Sequence, residues 1–519
     1  MALGRRILIL FFIFIACAAS VAYAKNVALV LSGGGARGFS QIGVLKALDE
    51  AGIKPRLIVA ASMGSIVGSL YAAGYSPDSI YSFVKSIDWN DVFSNTSQRE
   101  QLLVSQKNEN LNYLLELHFD KHFKIVWPNA LSYGQAFYQY LVPKLAVAQY
   151  RASESFDSLD IPLRIVATDI IAGRMVVFFK GDIVSAVRAS SGLPLIFSPV
   201  EYNGTLLMDG GMSANIPVEP VSEGNSGYYI IAVDATSSLW SKEELNSPVR
   251  LVDQLVAIGI SKQKAIEREL AQIVITPKLE HYKNTDFSKI DSIVAIGYAA
   301  AKDEIDKIKK DISSDRATKA VAARTDEFFC APFRWNSLDI RLCGLLDSFS
   351  LRTWGRGDTV SRYSIDSKVC FFLKHKGYPF ARITSILRRG DYPVDIVVEP
   401  GRIKNIVIEG NEVTSSNLIL AAISLKSGYV LTESRISKTI NSLYALGLFK
   451  NVNVAMDSSQ TLHIKVEEME FWRMKAGMRY DEFHLGEGYV QPAYVNLFGS
   501  GLSAILHLQY GLRREQYSF

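Results

Sequence analysis

The chain has 519 residues, of which 48% are hydrophobic and 21% charged, and its formal net charge is +4 at pH 7. This length favours about three folded units rather than one, and the hydrophobic content excludes an intrinsically disordered protein. The small net charge gives no sign of a nucleic-acid-binding protein, so we expect no nucleic-acid partner.

The N-terminus has the pattern of an export signal. Two arginines precede an apolar run that ends at Ala16, and Ala22-Tyr-Ala24 fits a small-residue cleavage site. Such a segment is removed during secretion and is too short for a stable membrane anchor. Residues 1–24 therefore predict an exported protein, with lipidation of Cys17 as a less favoured alternative.

Between residues 25 and 308, short apolar runs alternate with longer helical stretches. Strands separated by helical segments imply a largely parallel sheet with helices on both faces. We therefore predict an α/β domain with three layers, α/β/α, over residues 25–311. The predicted strands include Val27–Leu31, Leu57–Val59, Leu163–Ala167, Thr205–Met208, Tyr228–Val233 and Ile273–Ile275.

A glycine-rich loop follows the first predicted strand and opens a helical stretch. Its spacing also fits a dinucleotide-binding fingerprint, but that site needs a carboxylate about 20 positions on, and the second strand ends without one. Consecutive N–H groups at a helix start instead form an anion cradle, which suits the oxyanion of acyl transfer. The predicted oxyanion hole comprises Gly33, Gly34, Gly35, Ala36, Arg37 and Gly38, with Gly34, Gly35 and Ala36 as the favoured donors. The side chain of Arg37 either adds charge near the site or is solvated.

Ser62 lies where the second predicted strand runs directly into a helix. Such a junction holds a serine hydroxyl clear of its own backbone, as the nucleophile of a hydrolase. Ala60 stands where the G-x-S-x-G motif has a glycine, so one extra methyl enters a strained turn. The predicted nucleophile elbow is formed by Ala60, Ala61, Met63 and Gly64 around Ser62.

Asp209 ends the predicted strand Thr205–Met208 and is followed by Gly210 and Gly211. A partly desolvated carboxylate at such a position suits a general base. A Ser-His-Asp triad of this chain order would need a histidine after the acid, and His281 is the plausible one before residue 311. We therefore favour a dyad of Ser62 and Asp209, with a histidine-dependent mechanism as the alternative.

Residues 112–150 combine aromatic and aliphatic side chains with Lys121 and Lys124. The apolar side chains suit either an acyl-chain groove or an ordinary core, and the lysines suit anionic headgroups. We expect His118 and His122 to share one helical face.

The pattern changes after residue 311. Residues 312–400 are predicted to contain a linker and part of a repeat, and residues 401–468 a β-α-α-β-β unit with helices Ser415–Ile423 and Glu433–Leu446. In residues 469–519, apolar and polar side chains alternate as in strands of outer-membrane barrels. Only about three or four such strands fit, whereas a closed membrane barrel has at least about eight, so we expect an incomplete barrel.

Three cysteines follow the export signal: Cys330, Cys343 and Cys370. A Cys330–Cys343 disulfide and buried free thiols are comparable alternatives in an oxidising compartment. Because no histidine accompanies the cysteines at ligand spacing, we expect no metal site.

Three motifs occur together, namely Gly33–Gly38, Ala60–Gly64 and Asp209–Gly211. In this order they resemble the patatin-like phospholipases, whose elbow has a glycine where this chain has Ala60. The resemblance implies a patatin-like fold and a serine acyl hydrolase that acts on membrane phospholipids through a Ser–Asp dyad. It implies no metal and no organic cofactor.

Arg402–Glu467 is similar to a POTRA domain, the periplasmic module of barrel assembly and secretion proteins, and the following residues resemble the start of a bacterial surface antigen barrel. The complete order resembles type Vd autotransporters. This implies the outer membrane and its assembly machinery as partners, with the hydrolase domain at the cell surface or secreted, and leaves a homo-oligomer open. The alternative is an inactive hydrolase domain whose main role lies in outer-membrane secretion or assembly.

Overall fold

The computed structural model describes residues 26–93, 95, 114–152, 154–222, 227–237, 239–313, 333–334, 339–343, 349–352, 359–360, 369, 372–374, 376–388, 394–481, 485–511 and 515–518. The chain divides into two compact units. The first is formed by residues 1–85, 161–166 and 210–325, and the second by residues 86–160, 167–209 and 326–519. The predicted export signal and the predicted pairing of Cys330 lie outside the described residues.

The strands, in chain order, are β1 (Asn26–Leu31), β2 (Leu57–Ala61), β3 (Leu115–Phe119), β4 (Ile125–Val126), β5 (Leu163–Asp169), β6 (Arg174–Phe178), β7 (Val200–Tyr202), β8 (Thr205–Asp209), β9 (Tyr228–Val233), β10 (Ile273–Ile275), β11 (Phe333–Arg334), β12 (Asp339–Cys343), β13 (Phe349–Arg352), β14 (Thr359–Val360), β15 (Arg382–Arg388), β16 (Val394–Glu399), β17 (Asn405–Glu409), β18 (Phe449–Met456), β19 (Thr461–Glu468), β20 (Trp472–Asp481), β21 (Leu485–Leu497), β22 (Leu502–Ile505), β23 (His507–Gly511) and β24 (Glu515–Ser518). The helices are α1 (Ser40–Glu50), α2 (Met63–Ala72), α3 (Pro77–Ser86), α4 (Trp89–Val92), α5 (Gln135–Arg151), α6 (Ile183–Ser190), α7 (Glu219–Ser222), α8 (Pro248–Leu270), α9 (Ile290–Ser313), α10 (Ser416–Ala422) and α11 (Glu433–Tyr444).

The first unit is built on a parallel sheet in the order β10-β9-β1-β2, followed by the first half of β5. Strands β1, β2 and β9 are almost entirely buried apolar runs. Parallel strands covered on both faces need such runs, because neither face meets water. The parallel-rich α/β architecture predicted from the sequence is confirmed.

Helices α1 and α9 of the first unit approach each other through two glycines. A Cβ at Gly43 would overlap the carbonyl oxygen of Val294, and a Cβ at Gly297 would overlap that of Ser40. Close packing of this kind lets the helices cover the sheet without voids.

In the second unit, the end of β5 pairs with β8 in the antiparallel direction, and β8 pairs with β7. The strand predicted at Thr205–Met208 is present, but its antiparallel direction within a largely parallel sheet was not predicted. Its cause is local: Asn203 and Gly204 form a two-residue turn in which both have positive φ, of 50° and 78°. An Asn-Gly pair is a strong hairpin signal because both residues tolerate this conformation.

Residues 405–468 of the second unit contain a three-stranded sheet in the order β17-β19-β18, and α10 and α11 lie between β17 and β18 in the chain. Strand β17 is parallel to β19, and β18 is antiparallel to it. The buried face of α11 carries Ile436, Ile440 and Leu443, as the helical periodicity predicted. The β-α-α-β-β order is confirmed. Upstream of it, β12, β13, β15 and β16 form a separate sheet in the order β13-β12-β16-β15.

The last sheet of the second unit has the order β24-β23-β21-β20-β3-β4, with β22 also paired to β21, and it is not closed. Strands β3 and β4 come from residues 115–126, far from the others in sequence. The prediction that His118 and His122 share a helical face is wrong, because His118 lies within β3 and His122 in the turn that follows. The alternation of Leu115, Leu117 and Phe119 is the period of a strand.

In the described part of the chain, no helix is long and apolar enough to cross a membrane.

Candidate active site

Ser62 is held in a strained backbone conformation between β2 and α2. Its φ is 52°, and it is only 7% exposed. Positive φ is uncommon for residues other than glycine, and structures keep such strain mainly where function needs it. The carbonyl oxygen of Ser62 accepts hydrogen bonds from the backbone N–H of Ser65, at 2.8 Å, and from its hydroxyl, at 2.6 Å. These contacts fix the turn that the sequence predicts as a nucleophile elbow.

The glycine loop packs directly against this elbow. A Cβ at Gly33 would lie 3.1 Å from the Cβ of Ser62, and a Cβ at Gly38 would lie 2.5 Å from Cγ of Met63. On the other side, a Cβ at Gly64 would lie 2.5 Å from the carbonyl oxygen of Leu31. The loop and the elbow can therefore meet only because these positions have no side chain.

Ala60, which departs from the glycine of the motif, lies within β2 and is fully buried. A Cβ at Gly68 of α2 would lie 3.3 Å from the Cβ of Ala60. The missing side chain at Gly68 thus leaves room for the extra methyl between helix and strand. Ala61, the last residue of β2, is equally buried.

The backbone N–H groups of the glycine loop differ in whether they donate a hydrogen bond within the fold. Gly33 donates to the carbonyl oxygen of Asn215 at 3.1 Å, Ala36 to that of Asn284 at 2.8 Å, and Arg37 to that of Gly34 at 3.2 Å. Within the described residues, the N–H groups of Gly34 and Gly35 have no hydrogen-bond acceptor. Two adjacent donors, which directly follow Gly33 in the loop that contacts Ser62, therefore remain for an anion.

The guanidinium of Arg37 is buried rather than solvated. It donates to the carbonyl oxygens of Ala235 (3.0 Å), Thr236 (2.9 Å), Leu279 (2.5 Å) and Tyr282 (2.9 Å). Burial lowers the pKa of Arg37, and the nearby carboxylates of two acidic residues oppose this effect. The side chain ties the glycine loop to the segments that follow β9 and β10, a long-range role that the sequence does not reveal.

Asp209 is the last residue of β8, in the second unit, and is 5% exposed. Its N–H donates to the carbonyl oxygen of Gly192 at 3.1 Å, and its own carbonyl oxygen accepts from the Thr168 hydroxyl at 2.7 Å. The backbone that carries the carboxylate is therefore fixed on both sides of the strand.

Gly210 and Gly211 begin a short 3-10 turn directly after Asp209, and both are buried. In the first unit, a Cβ at Gly210 would overlap the carbonyl oxygen of Val166 and lie 3.3 Å from the Cβ of Ala61. Gly210 thus has to be glycine, and it packs beside the residue that precedes Ser62.

Two further residues support the glycine loop. Besides accepting from Gly33, Asn215 places Oδ1 where a Cβ at Gly33 would lie only 2.5 Å away. The next N–H, of Ile216, donates to Oε2 of Glu267 at 3.0 Å.

Glu267 on α8 is fully buried, and among the described residues its Oε1 has no partner. Burial raises the pKa of Glu267 to about 7, although the Ile216 N–H opposes the shift. Sequence reasoning missed Glu267, since nothing in the local pattern of α8 marks it.

His281 is exposed in the segment between β10 and α9. Within the described ranges, no group of histidine, cysteine, aspartate and glutamate side chains is arranged to hold a metal ion.

Comparison with known families assigns two parts of the chain. Residues 29–222 match the family described as patatin-like phospholipase. Residues 401–469 match the POTRA family, described as surface antigen variable number repeat.

Similar proteins agree with the first match. Patatin-like phospholipase domain-containing protein 6 of Mus musculus is 28% identical over 311 residues, which cover 55% of this chain and 21% of that protein. Lysophospholipase NTE1 of Meyerozyma guilliermondii is 26% identical over 338 residues, with coverage of 57% and 21%. The chain thus spans about a fifth of the length of these relatives. Among solved structures, VipD from Legionella pneumophila is 15% identical, with 56% of this chain and 67% of that chain covered and a TM-score of 0.33.

Proposed function

We propose that the protein is an exported serine acyl hydrolase of the phospholipase A or lysophospholipase type. The proposal agrees with the match of residues 29–222 to the patatin-like phospholipase family and of residues 401–469 to the POTRA family. The observation that carries the proposal is the environment of Ser62. Its backbone is held at a φ of 52°, Gly33 packs against it, and the adjacent loop offers the N–H groups of Gly34 and Gly35. A strained serine beside unused backbone donors is the arrangement that acyl transfer requires.

In the proposed mechanism, Asp209 accepts the proton of the Ser62 hydroxyl while Oγ bonds to the ester carbonyl carbon. The oxyanion receives hydrogen bonds from Gly34 and Gly35, the bond to the leaving alcohol breaks, and Asp209 returns the proton to that alcohol. Water then attacks the acyl-serine by the same route and releases the fatty acid. The role of Asp209 is supported by its neighbour Gly210, which packs beside Ala61, the residue before Ser62.

Membrane phospholipids are the proposed substrates. The relatives include proteins whose names describe a phospholipase domain and a lysophospholipase, which supports an acyl ester of a glycerophospholipid. Export by the N-terminal signal and association with the outer membrane and its assembly machinery are proposed from the sequence pattern and the POTRA domain.

The test uses the full chain and measures fatty-acid release from phospholipid vesicles. Ser62→Ala and Asp209→Asn are each expected to lower turnover at least about 1,000-fold, since the dyad acts as a unit. Ser69→Ala is a matched control, because Ser69 lies on α2, the helix that follows Ser62, and its hydroxyl donates to the Ile66 carbonyl oxygen, at 3.1 Å. A folded wild-type chain without turnover would favour an assembly role over catalysis, and activity that survives Ser62→Ala would contradict the assignment of the nucleophile.

A further inference from the structure

The segment 114–131 of the second unit, here called the β3–β4 segment, exposes large apolar side chains next to basic ones. Leu114 is 74% exposed, Phe123 64%, Trp127 74% and Leu131 65%. The exposed basic residues Lys121, His122 and Lys124 lie between them in sequence. Soluble surfaces rarely present such a concentration of large apolar groups without a partner.

The tip of this segment is ordered by an aspartate. Asp120 accepts hydrogen bonds from the backbone N–H groups of His122, at 2.8 Å, and Lys124, at 2.9 Å. The Lys124 N–H, assisted by that of His122 and opposed by burial, holds the pKa of Asp120 below its ordinary value. The turn places Phe123 at a φ of 59°, a strained conformation for a bulky residue. The Asp120 carboxylate therefore already accepts hydrogen bonds from backbone N–H groups, whereas the side chains of Lys121 and Lys124 are exposed to solvent.

The base of the segment is anchored. Leu115–Phe119 pairs with β20 in the antiparallel direction, with Phe119 opposite Trp472. The rings of Phe123 and Trp472 lie 4.8 Å apart between centroids, although Phe123 stays largely exposed. Because the exposed groups are already ordered, a partner would meet a preformed surface and little conformational entropy would be lost on binding.

We propose that the β3–β4 segment docks the protein on the surface of an anionic phospholipid bilayer. Tryptophan and other aromatic side chains favour the headgroup level of a bilayer, and lysines near it are attracted to anionic lipids. Basic and apolar groups on one surface are the combination by which proteins bind at such an interface without spanning it. Docking would hold the protein at a lipid surface and does not depend on turnover by Ser62.

Vesicle sedimentation of the full chain tests the proposal, with Ser62→Ala present throughout so that the lipid is not consumed. Partition into vesicles that contain phosphatidylglycerol is expected to fall about thirtyfold in Lys121→Ala/Lys124→Ala, at about 1 kcal/mol per lysine. Partition into neutral phosphatidylcholine vesicles should change little. The control, Lys307→Ala/Lys309→Ala, removes two exposed lysines from α9. It should leave the partition into both vesicle types unchanged.

A second pair of variants tests the apolar contribution. Phe123→Asn keeps a residue that tolerates positive φ, and Trp127→Phe removes one fluorophore while keeping an aromatic ring. Phe123→Asn should weaken binding to both vesicle types. Brominated lipids should quench less tryptophan fluorescence in Trp127→Phe than in the chain that carries Ser62→Ala alone. Equal loss of binding in the α9 control, or unchanged binding in all β3–β4 variants, would overturn the proposal. A shift in oligomeric state without a change in vesicle binding would instead assign the surface to a second copy of the chain.

Discussion

Gly33 and Ser62 are in such close contact that a Cβ at position 33 would lie 3.1 Å from the Cβ of the serine. The same Cβ would lie 2.5 Å from Oδ1 of Asn215, so a side chain at this position would have to displace the Asn215 side chain and press on Ser62. The approach couples the glycine loop to the elbow, because a displacement of one must move the other.

The first prediction concerns Gly33→Ala. The added methyl should push the loop away from Ser62 and misplace the N–H groups of Gly34 and Gly35, which lowers kcat about 100-fold or more, as the loss of an oxyanion donor does. Steady-state hydrolysis of a short-chain ester measures this effect. Gly227→Ala is the control, since a Cβ there meets nothing within 4 Å. An active Gly33→Ala variant would show that the loop does not supply the oxyanion donors.

The second prediction concerns Arg37→Ala. Four carbonyl oxygens would lose the Arg37 donor, although that of Leu279 keeps a hydrogen bond from the Tyr282 N–H. Unsatisfied buried polar groups cost about 1–3 kcal/mol each. We expect the free energy of unfolding of the first unit to fall by about 3 kcal/mol or more. Urea denaturation measures the change, and Arg56→Ala, at an exposed position, should have almost no effect. Equal stability of the two variants would contradict a structural role for Arg37.

The third prediction concerns pH. Burial raises the pKa of Glu267 to about 7, above its ordinary value in the unfolded chain, so the folded state holds this proton over a range where the unfolded state has released it. Its contribution to stability is therefore complete below about pH 4.5 and is lost as pH rises towards 7. Glu267→Gln keeps an acceptor for the Ile216 N–H but cannot ionise. Thermal unfolding between pH 5 and 8 should show a smaller loss of stability in this variant than in the wild type. An equal loss of stability with pH in both proteins would contradict the raised pKa of Glu267.

The fourth prediction concerns Gln135, the first residue of α5. Its buried side-chain amide accepts from the Val452 N–H at 2.7 Å and donates to the Val452 carbonyl oxygen at 3.3 Å. Gln135→Ala leaves both backbone groups of β18 unsatisfied and should destabilise the second unit by about 2 kcal/mol or more. Lys144→Ala, which removes a partly exposed ion pair with Glu433 on α11, should cost less than about 1 kcal/mol. Denaturant unfolding compares the two variants. A larger loss of stability in Lys144→Ala than in Gln135→Ala would contradict the proposed role of the Gln135 amide.

Local signals explain what could be predicted from the residues. The strands β1, β2, β9 and β10 are continuous apolar runs, and the faces of α11 follow from a period of 3.6 residues. The Asn203-Gly204 pair is an equally local signal, for a hairpin that the predicted sheet did not include. The helix expected at His118 and His122 was wrong because residues 115–119 alternate with the period of a strand and pair with β20.

The sequence by itself indicated the glycine loop, the turn at Ser62 and the glycines after Asp209. Glycine permits both positive φ, as at Gly34 and Gly35, and close approach of other backbone, as at Gly210. Only the tertiary structure decided which loop N–H groups stay available, where the Arg37 guanidinium binds, and that Glu267 and Gln135 support distant backbone. Those contacts join residues as much as 317 positions apart. Such pairs have no local pattern, since their energies depend on burial and on hydrogen-bond partners that exist only after the chain has folded.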